Sequence, residues 1–491
     1  MNQDILKNLN LSVYKISSEE ELKGILDGGL NALYQEVFAD PPYNEKFTST
    51  EVEETFRAYF QSGANIFVVL NSSEKPVAFV TSVPLKSDFG VAIVAGSRVD
   101  VERTAYFAED GVVSDLRQKG VSAAMKSILI SACRESGFEA LLLRTSAYNY
   151  RQISAVNKAG GYTLSGLFQQ VTSTRSDGKM TQDTRFFYNF DLTESNKQQD
   201  LLTLERVTIV RPGGNDTAIV WDDVPRELQG SLSKKIQATY PGIEQVMFVE
   251  EGKNGLVRGQ MAGGEFCGNA TRSLGYLIMD GKDGNATLEV SGANQPMSVQ
   301  IDNGMAKTSL PVKSSLDSAQ PDGDDYIVHL DGISFVITSK ANTLGDRVLS
   351  ETNPDKQKEI VLGALKKNGF ATDYPASGVM VIDKQDDDSY KLEPFVYVRD
   401  TGTLYYESGC GSGSTSVGVM VAKESGLPVK NLRITQPSGM DLLVSIDREA
   451  NAFKGATVNG PIEILFDGRM HIAAPKTTKE ASVSTPTAQV S

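Results

Sequence analysis

Histidine, cysteine and tryptophan are nearly absent from this chain: two, three and one in 491 residues. Three cysteines cannot build a disulfide framework, and the odd number suits a reducing compartment. No C-x-x-C occurs, and His329 and His471 have no metal-ligand spacing to one another, so no metal site is expected. Basic charge is also short. The net charge of −14 argues against nucleic acid or an anionic membrane as partner. No run approaches the roughly 18–20 apolar residues that span a bilayer. The start, M-N-Q-D-I-L-K-N-L-N, lacks a basic region followed by an apolar core. The expected location is the cytoplasm.

Two of the three cysteines sit in matching frames 143 residues apart. Cys267 lies in G-G-E-F-C-G-N-A-T-R-S-L-G and Cys410 in Y-E-S-G-C-G-S-G-S-T-S-V-G. Counting from each cysteine, glycine follows at +1 (Gly268, Gly411), serine at +6 (Ser273, Ser416) and glycine at +8 (Gly275, Gly418). An apolar run comes next, which predicts a tight turn entering a buried helix. A thiol at such a start lies near the positive end of the helix dipole, which is expected to lower its pKa. The pair suggests two symmetric acid/base groups, Cys267 and Cys410, on opposite faces of a substrate. Cys133 lies in the helical pattern S-I-L-I-S-A-C-R-E-S and reads as a small buried hydrophobe.

Length allows two or three domains. The polar stretch T-E-S-N-K-Q-Q-D separates two strand-like runs, and from about Pro475 the chain turns into aperiodic Thr, Ser, Ala and Lys. The expected division is therefore 1–193, a linker at 194–203, a second domain at 204–473 and a disordered tail at 474–491. The second domain alternates short strand-like runs with few helices, and its cysteine motif appears once in each half. It reads as two related α+β lobes facing one another.

The region 204–473 resembles the diaminopimelate epimerase-like superfamily of cofactor-independent amino-acid racemases and epimerases. R-P-G-G-N-D-T-A (211–218) is similar to its H-G-x-G-N-D-F start, and I-E-Q-V-M-F-V-E (243–250) to its D-Q segment. E-F-C-G-N-A-T-R matches C-G-N-[GA], and S-G-C-G-S-G-S matches A-C-G-T-G-A. The resemblance implies two pseudo-symmetric lobes, each a sheet around a central helix, with Asn215, Gln245, Gly268, Asn269, Gly411 and Ser412 at the substrate. It also implies proton abstraction without pyridoxal phosphate. Backbone N–H groups at Gly268–Ala270 and Gly411–Gly413 would then support the substrate carboxylate. One motif departs: Arg399-Asp400-Thr401-Gly402 stands near the family's Glu-Arg-Gly. The expected substrate is an amino acid other than diaminopimelate. A phenazine-biosynthesis-type isomerase and a non-catalytic sensor of amino acid or acyl-CoA are the alternatives.

Residues 12–192 resemble the GNAT acyltransferases, of α/β class. R-Q-K-G-V-S (117–122) is similar to their [RQ]-x-x-G-x-[GA] loop, and N-Y-R-Q-I-S-A-V-N-K-A-G-G-Y (149–162) to a later helical stretch. The resemblance implies acetyl-CoA bound through Val113, Arg117, Gly120 and Ser122. Val156 stands where the family's tyrosine usually protonates the leaving thiolate. Glu109, on the strand before the loop, is a candidate base for an amine, with a solvated strand-edge carboxylate as the plainer reading.

Overall fold

A computed structural model describes residues 2–40, 43–174, 180–193, 201–399 and 402–473. Most of the expected linker and all of the expected tail lie outside these residues. Leu201–Thr203, placed in the linker by sequence, already belong to the strand Leu201–Arg211. The chain divides into two compact units, one of Met1–Thr203 with Ala238–Pro241 and Met470–Ser491, the other of Leu204–Gln237 with Gly242–Arg469. No described helix is long and apolar enough to cross a membrane.

The first unit is a seven-stranded sheet, antiparallel except at its centre. There Thr104–Val112 runs parallel to Ala140–Ser146, and the helix Val121–Glu135 makes the crossover. The parallel pairing covers only Thr104–Phe107 against Ala140–Leu143. The register between Pro76–Pro84 and Thr104–Val112 shifts at Thr81/Ser82, where Glu109 and Phe107 are successive partners. A bulge of this kind turns side chains beyond it and ends regular pairing.

The second unit runs its strands in one hydrogen-bonded circuit. The helix Gly268–Ile278 lies in a core with Val210, Met247, Leu288 and Val299. The helix Gly411–Ser425 lies in another, with Phe335, Met380, Val444 and Ile446. The glycine at +8 of each motif now has a cause. A Cβ on Gly275 would fall 2.5 Å from Val299 Cβ, and one on Gly418 2.6 Å from Val444 Cγ1. Each helix therefore touches its sheet through a residue with no side chain. The serine at +6 is equally structural: Ser273 donates to the Asn269 carbonyl and Ser416 to that of Gly413. Both hydroxyls are satisfied inside helices buried on nearly every side.

Candidate active site

Cys267 and Cys410 are the N-cap residues of their helices, both in extended conformation. Ala270 N–H donates to Cys267 Sγ at 3.4 Å and Gly413 N–H to Cys410 Sγ at 3.2 Å. A cysteine replaces the usual Ser, Thr, Asp or Asn oxygen in this capping role. Ala270 and Asn269 N–H of the first expected carboxylate cradle and Gly413 N–H of the second are thus already turned to sulfur, leaving those of Gly268, Gly411 and Ser412. Ser412 is half-buried at the second helical position. The two starts are close, since a Cβ on Gly411 would lie 3.1 Å from Asn269 Oδ1.

The polar residues expected at the cleft come together. Cys267 Sγ–H donates to Gln245 Oε1 at 3.1 Å, and Asn269 Nδ2 donates to Asn215 Oδ1 at 2.8 Å. Asn215 is 1% exposed, yet its Nδ2 has no partner among the described residues, so a buried donor is left for a ligand oxygen. The loop carrying Asn215 is held tightly. Asp216 takes both Arg211 Nε and Nη2, at 2.6 and 2.8 Å. Gly214, at φ +135°, passes so near that a Cβ would lie 2.3 Å from the Ser408 carbonyl. No other residue takes that conformation without strain.

One expectation from sequence is overturned. The thiols are not acidified: Cys267 is pushed up to about 12, and Cys410 well above its ordinary value. Burial is the largest cause for both, with Glu407 adding its negative charge. Backbone N–H groups at the helix starts do lower both, but burial outweighs them. The ligand-free protein therefore holds both thiols protonated at neutral pH.

Sequence reasoning missed three carboxyls. Glu407 is raised to about 7 by burial, against which the influence of the Cys410 thiol lowers it. Glu244 accepts the Ser408 N–H at 3.2 Å and is raised to about 8, by burial and then by Glu407. Glu265 is exposed over much of its surface, and partial desolvation of its carboxyl still raises it. A signal was present, because Glu265 stands two residues before Cys267, Glu407 three before Cys410, and Glu244 directly before Gln245. Of the displaced segment, Asp400 and Thr401 lie outside the described residues, and Arg399 is exposed and donates to the Thr372 carbonyl at 3.0 Å.

These shifts set a pH dependence. A carboxyl raised above its unfolded value favours the native state least once the unfolded chain has ionised and the folded one has not. The penalty opens above pH about 4.5 and is complete near pH 8, the folded value of Glu244. Thermal unfolding of the ligand-free protein should therefore shift downward between pH 5 and 8. Glu244→Gln should flatten that slope; an unchanged slope would show that Glu244 ionises freely in the cleft.

Residues 207–471 match the family described as the histidine racemase CntK N-terminal domain. The chain belongs to this family. A protein of Fusobacterium nucleatum subsp. nucleatum (strain ATCC 23726 / VPI 4351) named histidine racemase is 28% identical over 280 residues, 54% of this chain and 95% of that one. A histidine racemase of Staphylococcus aureus (strain Mu50 / ATCC 700699) is 24% identical over 278 residues, 53% of this chain and 95% of that one. Among solved structures, the ribosomal-protein-S18-alanine N-acetyltransferase of Escherichia coli is 14% identical with a TM-score of 0.27, covering 38% of this chain and 97% of that one.

In the first unit the loop expected to hold acetyl-CoA does enter a helix. Gly120 caps it at φ +85°, and Val113 N–H is paired with the Val77 carbonyl at 3.0 Å. Arg117 is already engaged by the Val112 carbonyl at 3.1 Å and by Asp40 at 2.7 Å. Ser122 Oγ accepts from the buried Lys126 Nζ at 2.6 Å, which also pairs with Asp110 at 2.8 Å. Ile5 lies over the turn, 3.1 Å from where a Cβ on Gly120 would stand. Val156 is fully buried in the helix Tyr150–Lys158. Glu109 is not a solvated edge group. Its Oε1 accepts Tyr59 OH at 3.1 Å and Tyr34 OH at 3.3 Å, and burial raises it to about 7. Thr81, its cross-strand partner, is fully buried, and its hydroxyl has no partner among the described residues.

Proposed function

We propose that the second unit racemises an amino acid, histidine in the first instance, without pyridoxal phosphate or metal, using Cys267 and Cys410 as its two acid/base groups. The observation that carries this reading is the placing of two thiols at the starts of neighbouring buried helices, near two half-buried carboxyls, Glu244 and Glu407, and an exposed one, Glu265. Its two cores, each around one cysteine helix, support reading the unit as pseudo-symmetric lobes.

The chemistry follows from charge. An α-proton is hard to remove because the carbanion forms beside a carboxylate. Gly268, Gly411 and Ser412 N–H groups with Asn215 Nδ2 would receive that carboxylate, where developing charge is greatest. Glu244, Glu265 and Glu407 would receive cations: the ammonium group, and an imidazolium where the side chain is that of histidine. Their raised pKa values fit this, since each would ionise as a cation enters. The same cation would ease the ionisation of a thiol. One thiolate then takes the α-proton while the opposite thiol protonates the other face. Diaminopimelate would bring a second carboxylate toward the acidic cluster, an unfavourable encounter. Relatives named histidine racemase favour histidine over the aromatics.

Incubation with each L-amino acid in D₂O, read by α-deuterium and by chiral chromatography, tests the assignment. Histidine should exceed diaminopimelate in kcat/KM by at least about a hundredfold, the worth of one misplaced charge-assisted contact. Diaminopimelate as the better substrate would overturn the reading of the 399–402 departure. Binding without deuterium uptake from any amino acid would support a sensor instead.

For the first unit we propose transfer of an acyl group from acetyl-CoA to an amine. Glu109 supports it, being half-buried and near neutral in pKa, with hydroxyls holding one oxygen and leaving the other to receive an ammonium proton. Calorimetry on the full chain should show acetyl-CoA binding. Gly120→Glu should remove it, because a charged side chain at φ +85° would fill the approach to the helix start. Racemisation in the same sample should persist, showing that the chain is folded. No binding at millimolar acetyl-CoA would leave a shared fold without this activity.

A further inference from the structure

The first unit carries two arginines on one face of its sheet, and they are treated differently. Arg185, on the strand Met180–Asp191, pairs with Glu45 at 2.9 Å and with Asp183 at 3.0 Å. Arg144, on the neighbouring strand Ala140–Ser146, is half-buried and has no carboxylate partner among the described residues. Its Nη1 donates to the amide oxygen of Gln169 at 2.6 Å. Its Nε is buried and has no partner among the described residues. A guanidinium withdrawn from water is stable only with an anion or a full set of acceptors around it. Arg144 has one uncharged acceptor, and the rest of its fork is unanswered.

Arg144 stands where the sheet opens. The strands Thr104–Val112 and Ala140–Ser146 run parallel and stay paired as far as Phe107 with Leu143. Arg144 is the first residue past that pair on one strand, and Glu109 the second past it on the other. Their side chains lie on the same side. Leu142, two residues before Arg144, and Phe187, its cross-strand partner, belong to one apolar cluster with Tyr106. Tyr59 packs on that cluster, and its hydroxyl donates to Glu109 Oε1 at 3.1 Å. Adjacent strands lie about 4.8 Å apart where they are paired, so the two charged residues leave the backbone close together. Among the described residues no ion pair joins them. Glu109 is held by the hydroxyls of Tyr59 and Tyr34, and Arg144 by Gln169. A carboxyl and a guanidinium that share an opening without closing on each other can take a ligand bearing the opposite pair of charges.

We infer that the acyl acceptor of this unit is a free α-amino acid, its carboxylate held by Arg144 and its α-ammonium by Glu109. This rests on the acetyltransferase reading of the unit and names its acceptor. An α-amino acid carries both charges on one carbon, which suits two groups on adjacent strands. With Nη1 fixed by Gln169, the remaining donors of the planar fork are oriented for a carboxylate. Simple amines, and peptide N-termini whose first carboxyl is tied up as an amide, lack the group that Arg144 would answer. The transfer balances. Glu109 takes one proton from the ammonium, and the amine bonds to the acetyl carbon as the carbon–sulfur bond breaks. A second N–H proton passes to the departing CoA thiolate, and the proton on Glu109 returns to solvent.

The full-length protein is incubated with acetyl-CoA and each common α-amino acid, beside its amide and its decarboxylated amine, and the acetylated products are counted by mass. For the side chain acetylated best, the free amino acid should exceed both analogues in kcat/KM by at least about thirtyfold. Arg144→Gln should erase that preference, the loss falling on KM for the amino acid, and Arg144→Lys should restore part of it. Turnover of the analogues in Arg144→Gln shows that the unit is folded, and if that variant is inactive the wild-type ratios decide alone. An arginine that only braces the sheet would lower all three acceptors alike. Analogues acetylated as well as the amino acid by the wild type, or a preference that survives Arg144→Gln, would overturn the inference and leave an acetyltransferase for other amines. Transfer to none of the three classes would overturn the acetyltransferase reading, and this inference with it.

Discussion

Cys267→Ala and Cys410→Ala should each lower the rate of inversion by at least about a thousandfold, within the range lost when a general acid or base is removed. Neither thiol can be replaced by water without a base strong enough to reach an amino-acid α-proton. The neighbouring carboxyls do not serve, because Glu407 and Glu244 lie several pH units below the thiols in basicity. Substrate affinity should change little, since binding falls to amide groups and carboxyls that the substitutions leave intact. An intact thiol can still exchange a proton on its own face. Inversion, followed by chiral chromatography, is therefore the readout, and deuterium uptake alone is not. Each variant should retain exchange of one enantiomer only, and the two variants should retain opposite ones. Cys133→Ala should invert at the wild-type rate, because that residue is buried in the other unit beside Ser82 Oγ at 3.3 Å. Either single variant inverting within tenfold of wild type would remove the two-thiol mechanism.

The sequence made the cysteine frames legible because their constraints are local. A glycine at +8 and a serine at +6 report what happens one and two turns into a buried helix. The first is contact with Val299 or Val444, the second a bond back to the helix backbone. Asn215, Gln245 and Asn269 were legible only through resemblance, since three distant segments supply them. Acidity was misjudged. A helix start raises thiolate character in proportion to its dipole, but the sequence does not show how much water is excluded around the sulfur. Burial is a property of the closed circuit of strands, and it reverses the sign. The carboxyls were overlooked for a related reason: an isolated glutamate beside a strand reads as solvated. Glu407, Glu244 and Glu109 depart from that only because distant segments fold over them.

Arg272 is the other feature that the matching frames conceal, for the second motif has Thr415 at the same position. Arg272 is fully buried with no carboxylate partner among the described residues, and burial lowers its pKa to about 10. Its guanidinium is instead surrounded by oxygen dipoles. Nη1 donates to the carbonyls of Ala306 and Gly460 at 3.2 and 3.0 Å, residues paired across two strands. Nη2 donates to the Pro212 carbonyl and to Asn269 Oδ1, both at 2.9 Å. One side chain thus ties the first cysteine helix to three strands or loops and orients the asparagine that touches Asn215. Arg272→Met keeps the stem's volume but leaves four buried acceptors without this donor, each worth roughly 1–3 kcal/mol. Relief from burying a charge offsets part of that, so a net loss of about 3–5 kcal/mol is expected. Lysine cannot substitute, because a point ammonium does not reproduce the planar fork. Trp221 is the chain's single tryptophan and lies in the second unit, so its fluorescence during urea unfolding follows this unit alone. The midpoint should fall with the slope unchanged, and residual activity should fall further than folded fraction as Asn269 loses its anchor. A midpoint equal to or above wild type would mean that the buried charge costs more than its four bonds return, and that Arg272 does not brace the site.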